Sequence, residues 1–348
     1  MLTKDIKLKR AFLISTLLAP IFAAFLLTIH FSIIFFSPYS GDEVIFTVRP
    51  GEGFSSVNGR LARKGLISDA RLFHYYAKYT ERMSKIKAGS YKIAPGQHMG
   101  EILNTLVDGV PILTRVTIPE GKNLYEVGKI LESKDIISYE DFVKEVKKQE
   151  YVEELGIDAP SLEGYLFPDT YKFAPGTPAS TVVRTMLGLF KEKTSSLDFN
   201  QSHLKPHEVV ILASIVEKET GAKFERRTIA GVYLNRLKKR MRLQADPTTI
   251  YGIWENYNGN LKKKHLLQKT PYNTYKIPGL PKGPIANPSL AAIKAVLDPE
   301  EHNYIYFVSK NDGTHVFTST YKEHLKAVDY WQRNAARRKG KSWRDLKQ

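Results

Sequence analysis

A long apolar run occupies the start of the chain. Residues 11–36 contain no Asp, Glu, Lys or Arg. At about 1.5 Å per residue a helix of this length reaches about 39 Å, enough to cross a hydrocarbon core of about 30 Å. The run therefore predicts a single transmembrane anchor. A cleaved signal peptide is the alternative, but its apolar part is only about 7–15 residues long, and no Ala-x-Ala cleavage site follows residue 36.

Charges on the two sides of this run predict its orientation. Residues 1–10, a predicted cytoplasmic tail, carry four basic side chains against one Asp, whereas Asp42 and Glu43 follow the run. Basic residues are enriched at the cytoplasmic ends of membrane spans. The chain from about Ser37 onward is therefore expected outside the cytoplasm.

Beyond the anchor, residues 42–150 repeat a short pattern. Residues 45–76 and 115–146 align without a gap at an offset of 70. Each copy predicts a strand, a glycine turn, a helix and a second helix that begins at Ser, and residues 89–109 predict another strand and amphipathic helix between them. Units of this type occur in LysM modules, which bind N-acetylglucosamine polymers. Compact spacers that bind no ligand are the alternative.

A second region, residues 151–338, is predicted to be mostly helical. The expected elements are helices at about 178–195, 206–221 and 223–240, two strands within 303–320 joined through a turn at Asn311–Gly313, and a final helix at about 321–338. Together with the first region, they predict an α+β fold with an N-terminal transmembrane helix, a LysM-like small α/β region, and a mostly helical domain with small β elements.

One glutamate continues the buried face of the second of these helices. At about 100° per residue, Glu219 falls within about 20° of Leu212, the centre of the apolar stripe, whereas Glu217 falls on the solvent side. Desolvation raises the pKa of a carboxyl and keeps a proton available near neutral pH, as general acid catalysis on a glycosidic oxygen requires. An ion pair with Arg226 or Arg227 is the structural alternative.

Three further segments have polar and aromatic residues suited to a cleft. Residues 161–173 place Glu163 among aromatic side chains, a composition that binds sugars, although alternating Tyr and Phe also predict a half-buried strand. Asp246 precedes a proline, as the N-cap residue of a helix often does, so a structural role is expected for it. Residues 270–289 are rich in Pro and Gly, and this restricted backbone suits a cleft wall.

Composition and charge narrow the function class. The 348 residues include no cysteine, which excludes disulfides, thiolate metal sites and cysteine nucleophiles. The formal charge is +16, but residues 1–10 contribute +3 and residues 331–348 contribute +6. The rest is mildly basic and lacks zinc-finger or RNA-recognition motifs, which argues against nucleic acid as a partner. The basic tail at residues 339–348 is expected to be a solvated end, with contact to an anionic surface as the alternative.

Several motifs follow one another along the chain after the anchor. They are LEGYLFPDTY, ASIVEKET, YLNR, RLQADPTTIYG, TPYNTY, GLPKGPIANPS and YFVSKNDGTHVFTSTYKEH. In these motifs the chain resembles the endolytic murein transglycosylase family, also called YceG-like. The resemblance implies a single-pass protein of the bacterial inner membrane, with a LysM-like region and a periplasmic catalytic domain at 151–338 that cleaves nascent peptidoglycan strands.

The same resemblance implies a chemistry and a site. The family's catalytic residue is the second glutamate of the Glu-Lys-Glu-Thr motif, here Glu219, and no metal or other cofactor is implied. Such an enzyme is a lyase that cleaves the β-1,4 bond between N-acetylmuramic acid and N-acetylglucosamine, forms a 1,6-anhydro end and terminates strand elongation. Motif correspondence makes the following residues substrate-binding candidates: Glu163, Asp246, Tyr272, Asn273 and Tyr275.

The expected partners follow from this chemistry. They are glycan strands, the inner membrane and penicillin-binding proteins of the synthesis machinery, with no nucleic acid. The alternative function is that of an inactive membrane-anchored protein that binds peptidoglycan or acts as a scaffold.

Overall fold

The computed structural model describes residues 2–49 and 51–334. The predicted basic tail at 339–348 therefore lies outside the described residues. The described chain has more helix than strand, which confirms the mixed helix and strand class predicted from the sequence. Its contacts divide it into two compact units.

The first unit comprises Met1–Thr114 and Phe173–Thr177. Its elements in chain order are α1 (Leu2–Phe36), β1 (Val44–Val48), α2 (Phe54–Arg63), α3 (Ala70–Tyr79), β2 (Gly89–Ile93) and α4 (Met99–Asp108). β1 and β2 pair antiparallel, with Phe46 opposite Tyr91. Both rings are buried and, with apolar side chains of α2, α3 and α4, they form one hydrophobic core.

Among the described residues, one helix is long and apolar enough to cross a membrane. The segment is Leu18–Phe36 of α1, 19 residues with a mean hydropathy of 2.2. α1 begins at Leu2, so residues 2–10 of the predicted tail continue the same helix. At its other end Phe35 packs edge-on against Tyr76 of α3, with 4.7 Å between the ring centroids. By length and composition the segment suits a membrane anchor or a signal sequence.

The second unit comprises Arg115–Lys172 and Pro178–Gln348. The elements that lie wholly or mostly in it are β3 (Thr114–Thr117), α5 (Leu124–Glu132), α6 (Tyr139–Glu145), α7 (Gln149–Glu154), β4 (Thr170–Phe173), α8 (Ala179–Thr194), α9 (Pro206–Glu219), α10 (Arg226–Lys238), α11 (Asp246–Gly252), α12 (Lys263–Leu267), α13 (Leu290–Leu297), β5 (Tyr306–Ser309), β6 (His315–Thr318) and α14 (Tyr321–Val328).

The predicted repeat is present as a common order of elements. β1, α2 and α3 in the first copy correspond to β3, α5 and α6 in the second. The structure groups the copies differently from the predicted boundary near residue 150, because the second copy belongs to the second unit. The reason is strand pairing: β3 pairs with β4, and the Thr117 and Thr170 hydroxyls share a hydrogen bond of 2.8 Å. Only β4 remains of the strand expected over residues 161–173.

α9 carries the glutamate identified from helical geometry. Pro206 occupies its first turn, where no intrahelical N–H bond is lost. Residues Val209–Val216 are all buried, because α9 packs against α10, α11 and α13. The helix ends at Glu219, two residues earlier than predicted, because Thr220 adopts an extended backbone (φ −86°, ψ 111°).

The Pro-rich segment 270–289 before α13 is hydrogen-bonded to α9 and to the aromatic segment around Glu163. The backbone N–H of Ile285 donates to the Ser214 hydroxyl at 3.0 Å, and the Asn287 side-chain oxygen accepts from the backbone N–H of Gly164 at 3.0 Å. Gly164 has φ +89°, and a Cβ there would lie 2.6 Å from the Pro284 ring. Both the conformation and the close contact therefore require glycine.

β5 and β6 form the predicted hairpin. Phe307 lies opposite Phe317 in an antiparallel register. Asn311 and Gly313 in the connecting turn have φ of 62° and 87°, the left-handed conformation that these two residue types adopt most readily. The hairpin prediction is confirmed.

Candidate active site

A cavity of about 890 Å³ lies at the C-terminal end of α9. Its volume falls in the range of about 300–1,000 Å³ that is typical of ligand sites. Glu219, predicted from helical geometry to face inward, lies in its wall. The other walls come from the start of α5, from α11 with the turn after it, and from the hairpin, and they include Asn123, Tyr251, Trp254, Ser309 and His315.

The surroundings of Glu219 shift its proton affinity. Burial, and then the negative charge of Asp246, raise the pKa of Glu219 to about 7. Two groups act in the opposite direction: the Tyr233 hydroxyl donates to Glu219 Oε1 at 3.2 Å, and the Arg236 guanidinium supplies positive charge. Desolvation is the largest effect, so at neutral pH a substantial fraction of this carboxyl is protonated.

The ion pair considered for Glu219 is made instead by its neighbour Glu217. Arg226 Nη2 lies 3.1 Å from Glu217 Oε1, and the Ser289 hydroxyl and backbone N–H donate to Oε2 at 2.5 and 3.1 Å. The prediction that Glu217 faces solvent is wrong, since its side chain is only 7% exposed beneath the start of α13. Arg227 pairs with a different carboxylate. Neither of the two arginines considered as partners is paired with Glu219.

Two buried side chains of α10 act on Glu219. Tyr233 and Arg236 are three residues apart and therefore share a helix face. Arg236 donates to the backbone carbonyls of Leu243 and Ile305 at 2.7 and 2.6 Å, and none of the ion pairs of the described chain includes it. Its positive charge acts on Glu219 and lowers the pKa of that carboxyl. The YLNR motif contains both residues, but sequence reasoning did not identify Tyr233 as the partner of Glu219.

Asp246 and Tyr275, two of the predicted substrate-binding residues, meet close to Glu219. The Tyr275 hydroxyl donates to Asp246 Oδ1 at 2.7 Å. Asp246 is exposed and is the first residue of α11, whose N-cap residue is Ala245. The N-cap prediction for Asp246 is therefore wrong, because its carboxylate accepts from Tyr275 and makes no cap hydrogen bond to its own helix.

Asn273, another predicted substrate-binding residue, is completely buried. Its side-chain oxygen accepts from the Thr249 hydroxyl and from the Tyr275 backbone N–H, both at 3.0 Å. Its amide nitrogen donates to backbone carbonyls within residues 265–268. Because the protein itself uses both ends of this amide, Asn273 holds the loop in shape and does not face the cavity.

Glu163 lies beneath aromatic side chains of the site. It is 2% exposed, accepts from the Leu124 backbone N–H at 2.9 and 3.2 Å and is hydrogen-bonded to the Tyr251 hydroxyl. Burial raises the pKa of Glu163 to about 8, although these hydrogen bonds lower it. Tyr272 packs edge-on against Tyr251, with 4.7 Å between the ring centroids. The structure thus brings Glu163 and Tyr272 together at Tyr251, which sequence reasoning had not selected.

The hairpin is attached to the segment after α9 by a pair that sequence reasoning also missed. His315 Nδ1 lies 2.7 Å from Glu225 Oε2, and its backbone N–H donates to Oε1 at 3.0 Å. A Cβ on Gly221 would lie 2.5 Å from the Gly313 carbonyl oxygen, so the two backbones touch. The glycine turn predicts a hairpin but contains no signal for the element that the hairpin contacts.

The chemistry that these side chains offer is proton transfer. Glu219 can release or accept a proton near neutral pH at the surface of a cavity. Among the described residues, no group of three or more His, Cys, Asp or Glu is placed to hold a metal ion.

Comparisons with known proteins agree on one family. The YceG-like family model matches residues 46–330. A relative named endolytic murein transglycosylase from Bacillus subtilis (strain 168) is 32% identical over 311 residues, which cover 83% of this chain and 85% of the relative. A relative of the same name from Streptococcus pneumoniae (strain ATCC BAA-255 / R6) is 28% identical over 312 residues. The aligned part covers 80% of this chain and 56% of the relative.

A solved structure is also similar. The crystal structure of a YceG-like protein from Listeria monocytogenes matches with a TM-score of 0.57 and 30% sequence identity, covering 82% of this chain and 99% of the other. The family model extends over most of the chain, and the Bacillus relative is similar over most of both proteins. The chain therefore belongs to the YceG-like family, as the motifs in its sequence predict.

Proposed function

We propose that this protein is an endolytic lytic transglycosylase, a lyase that cuts the glycan strands of peptidoglycan. The names of its curated relatives support the enzyme class and the substrate. In this chain the proposal depends on one observation: Glu219, with a pKa of about 7, lies in the wall of a cavity of about 890 Å³.

The proposed reaction needs one carboxyl in two protonation states. Glu219 donates its proton to the oxygen between N-acetylmuramic acid and N-acetylglucosamine while the bond from that oxygen to C1 breaks. The muramoyl 6-hydroxyl then attacks C1, closes a 1,6-anhydro ring and returns its proton to the Glu219 carboxylate. No water is consumed, and the intramolecular attack gains from a high effective concentration. A pKa near the working pH suits both steps.

The groups around Glu219 support these two roles. The charge of Asp246 favours the protonated acid that starts the reaction, whereas Tyr233 and Arg236 favour the carboxylate that accepts the second proton. The Tyr233 hydrogen bond also orients the carboxyl. Tyr233 is therefore a positioning residue in this mechanism.

The predicted substrate-site residues divide into two roles in this proposal. Asp246, Tyr272 and Tyr275 are partly exposed and are available to a glycan. Glu163 and Asn273 are buried and act through the residues that they hold.

The anchor and the first region suggest where the enzyme works. α1 contains a segment with the length and composition of a span, and the charges beside it favour a cytoplasmic N-terminus with the remaining chain on the periplasmic side. In this proposal residues 42–150 are LysM-like and contact glycan strands, and residues 151–338 form the catalytic domain, to which the start of α5 adds one wall of the cavity that contains Glu219. Cleavage of nascent strands beside penicillin-binding proteins would terminate their elongation.

The test is product analysis on uncrosslinked glycan strands with the full-length protein in detergent. We expect the wild type to produce 1,6-anhydro ends detectable by mass spectrometry, and Glu219→Gln to lose at least about 100-fold in rate with its thermal stability retained. Glu192→Gln, the same change at an exposed carboxyl of α8 outside the cavity, is the matched control and should keep most of the turnover.

Other products would identify a different function. Intact strands with the wild type, together with equal binding by the Glu219→Gln variant, would support the anchored peptidoglycan-binding protein or scaffold. New ends that carry a reducing hydroxyl would indicate a hydrolase.

A further inference from the structure

A second cavity adjoins the one that contains Glu219. It has a volume of about 440 Å³ and shares Tyr251 and Trp254 with the larger cavity. Its remaining walls include Tyr125 of α5 and Tyr272. We infer that this second cavity is a distal subsite, which binds a sugar of the same glycan strand several sugar units away from the bond that is cut. The inference rests on the proposed function.

Aromatic rings make up much of the second cavity. The Tyr125 and Trp254 rings are stacked, with 6.1 Å between centroids and 12° between planes. Tyr251 and Tyr272 are arranged edge-on at 4.7 Å. A pyranose ring has a face of C–H groups that packs on aromatic side chains, while Tyr and Trp also present a polar atom to hydroxyl groups. The walls therefore suit an N-acetylhexosamine.

The polar residues at the rim of the second cavity are one cation, one carboxylate and one amide. Lys147 lies with its Nζ 5.6 Å from the centre of the Tyr125 ring, and Glu255 and Asn256 lie on another wall of the cavity. All three are exposed. They supply donors and acceptors for sugar hydroxyl and amide groups, and the mixed charge gives no preference for a strongly anionic ligand.

Glu163 connects the two aromatic walls of this cavity. It accepts from the backbone N–H of Leu124, the residue before Tyr125 in α5, and it is hydrogen-bonded to the hydroxyl of Tyr251 in α11. Because it is buried, it cannot contact a sugar directly. Glu163 is therefore a positioning residue that sets the spacing of the walls, which gives a physical role to the carboxyl in the LEGY motif.

A subsite of this kind has a kinetic consequence. Binding energy from a remote part of the substrate contributes to the reaction only when the strand is long enough to reach the subsite. The specificity constant should therefore increase with strand length. This preference would direct the enzyme to internal bonds of long strands.

The experiment measures kcat/KM of the full-length protein for two peptide-free glycan oligomers, a tetrasaccharide and a dodecasaccharide. We expect the wild type to favour the longer oligomer, and Tyr125→Ala to reduce the ratio of the long to the short value by roughly 3- to 10-fold. Glu163→Gln should reduce the same ratio, a readout that a general loss of stability would not move. Tyr321→Ala, which removes an exposed ring outside both cavities, is the matched control and should keep the wild-type ratio.

Binding in the Glu219→Gln background gives a second measurement that does not depend on turnover. Adding Tyr125→Ala to Glu219→Gln should weaken the binding of the dodecasaccharide more than that of the tetrasaccharide. If the wild type forms no anhydro ends, the proposed function fails. If it forms them but the rate is independent of length, or Tyr125→Ala lowers both rates equally, the distal subsite is refuted while the function stands.

Discussion

Tyr233 gives a direct way to change the proton affinity of Glu219 without touching its carboxyl. The Tyr233 hydroxyl donates to Glu219 Oε1 at 3.2 Å and thereby lowers the pKa of Glu219, which burial and Asp246 hold at about 7. Tyr233→Phe removes this donor and keeps the ring. The pKa of Glu219 should therefore rise.

The size of the change follows from the hydrogen bond. A hydrogen bond to a charged group contributes about 1.5–3 kcal/mol, and the length of this one puts it at the lower end. Because about 1.4 kcal/mol corresponds to one pKa unit, Tyr233→Phe should raise the pKa of Glu219 from about 7 by about one unit.

The assay is the pH dependence of kcat/KM, which reports groups in the free enzyme. The reaction needs protonated Glu219, so activity should fall as the pH rises through its pKa. We expect Tyr233→Phe to move this alkaline limb upward, and Asp246→Asn to move it downward because a negative charge is removed. If the limb stays in place in both variants, or if Tyr233→Phe moves it toward acid, another group controls it and the reasoning is refuted.

Two further predictions concern buried groups. Glu163 has a pKa of about 8 in the folded protein against an ordinary value of 4.5, so the folded protein holds the proton more tightly than the unfolded chain. The stability that this proton contributes is present in full below pH 4.5 and is lost as the pH rises through 8. Chemical denaturation at pH 5 and pH 9 should show that the wild type loses roughly 2–4 kcal/mol more than Glu163→Gln over this interval, and equal losses would contradict the assignment. Gly221→Ala places a Cβ 2.5 Å from the Gly313 carbonyl oxygen, so the hairpin must shift and kcat should fall about 10- to 100-fold. Gly188→Ala, where a Cβ meets nothing within 4 Å, is its control, and similar rates for both variants would show that the hairpin contact is unimportant.

Local periodicity predicted the helices around the candidate site, and in α9 it placed Glu219 facing inward but wrongly placed Glu217 facing solvent. The consecutive residues Val209–Val216 are all buried, so α9 is covered on every side and its helical repeat does not separate a carboxyl in a cavity wall from one in an ion pair. What surrounds the carboxyl depends on packing between elements. Tyr233 meets Glu219 because α10 packs against α9, and Glu217 is buried because Ser289 and Arg226 cover it. No pattern within α9 contains that information.

Motif position also failed to separate residues that face a cavity from residues that support it. Asn273 and Tyr272 are neighbours in one motif, yet the first is completely buried and the second lines the smaller cavity. The repeat predicted the order of elements in both copies, but not that β3 pairs with β4 and takes the second copy into the other unit. Strand partners far apart in sequence are chosen by tertiary contacts, which are absent from a periodicity analysis.

The source of the oxygen at each new end tests the central claim, that Glu219 drives an intramolecular attack by the substrate's own hydroxyl. Glycan strands are digested by the full-length protein in water enriched in heavy oxygen, and the ends are weighed by mass spectrometry. We predict anhydro ends without heavy oxygen from the wild type and no new ends from Glu219→Gln. New ends that contain heavy oxygen would contradict the account, because they require attack by water.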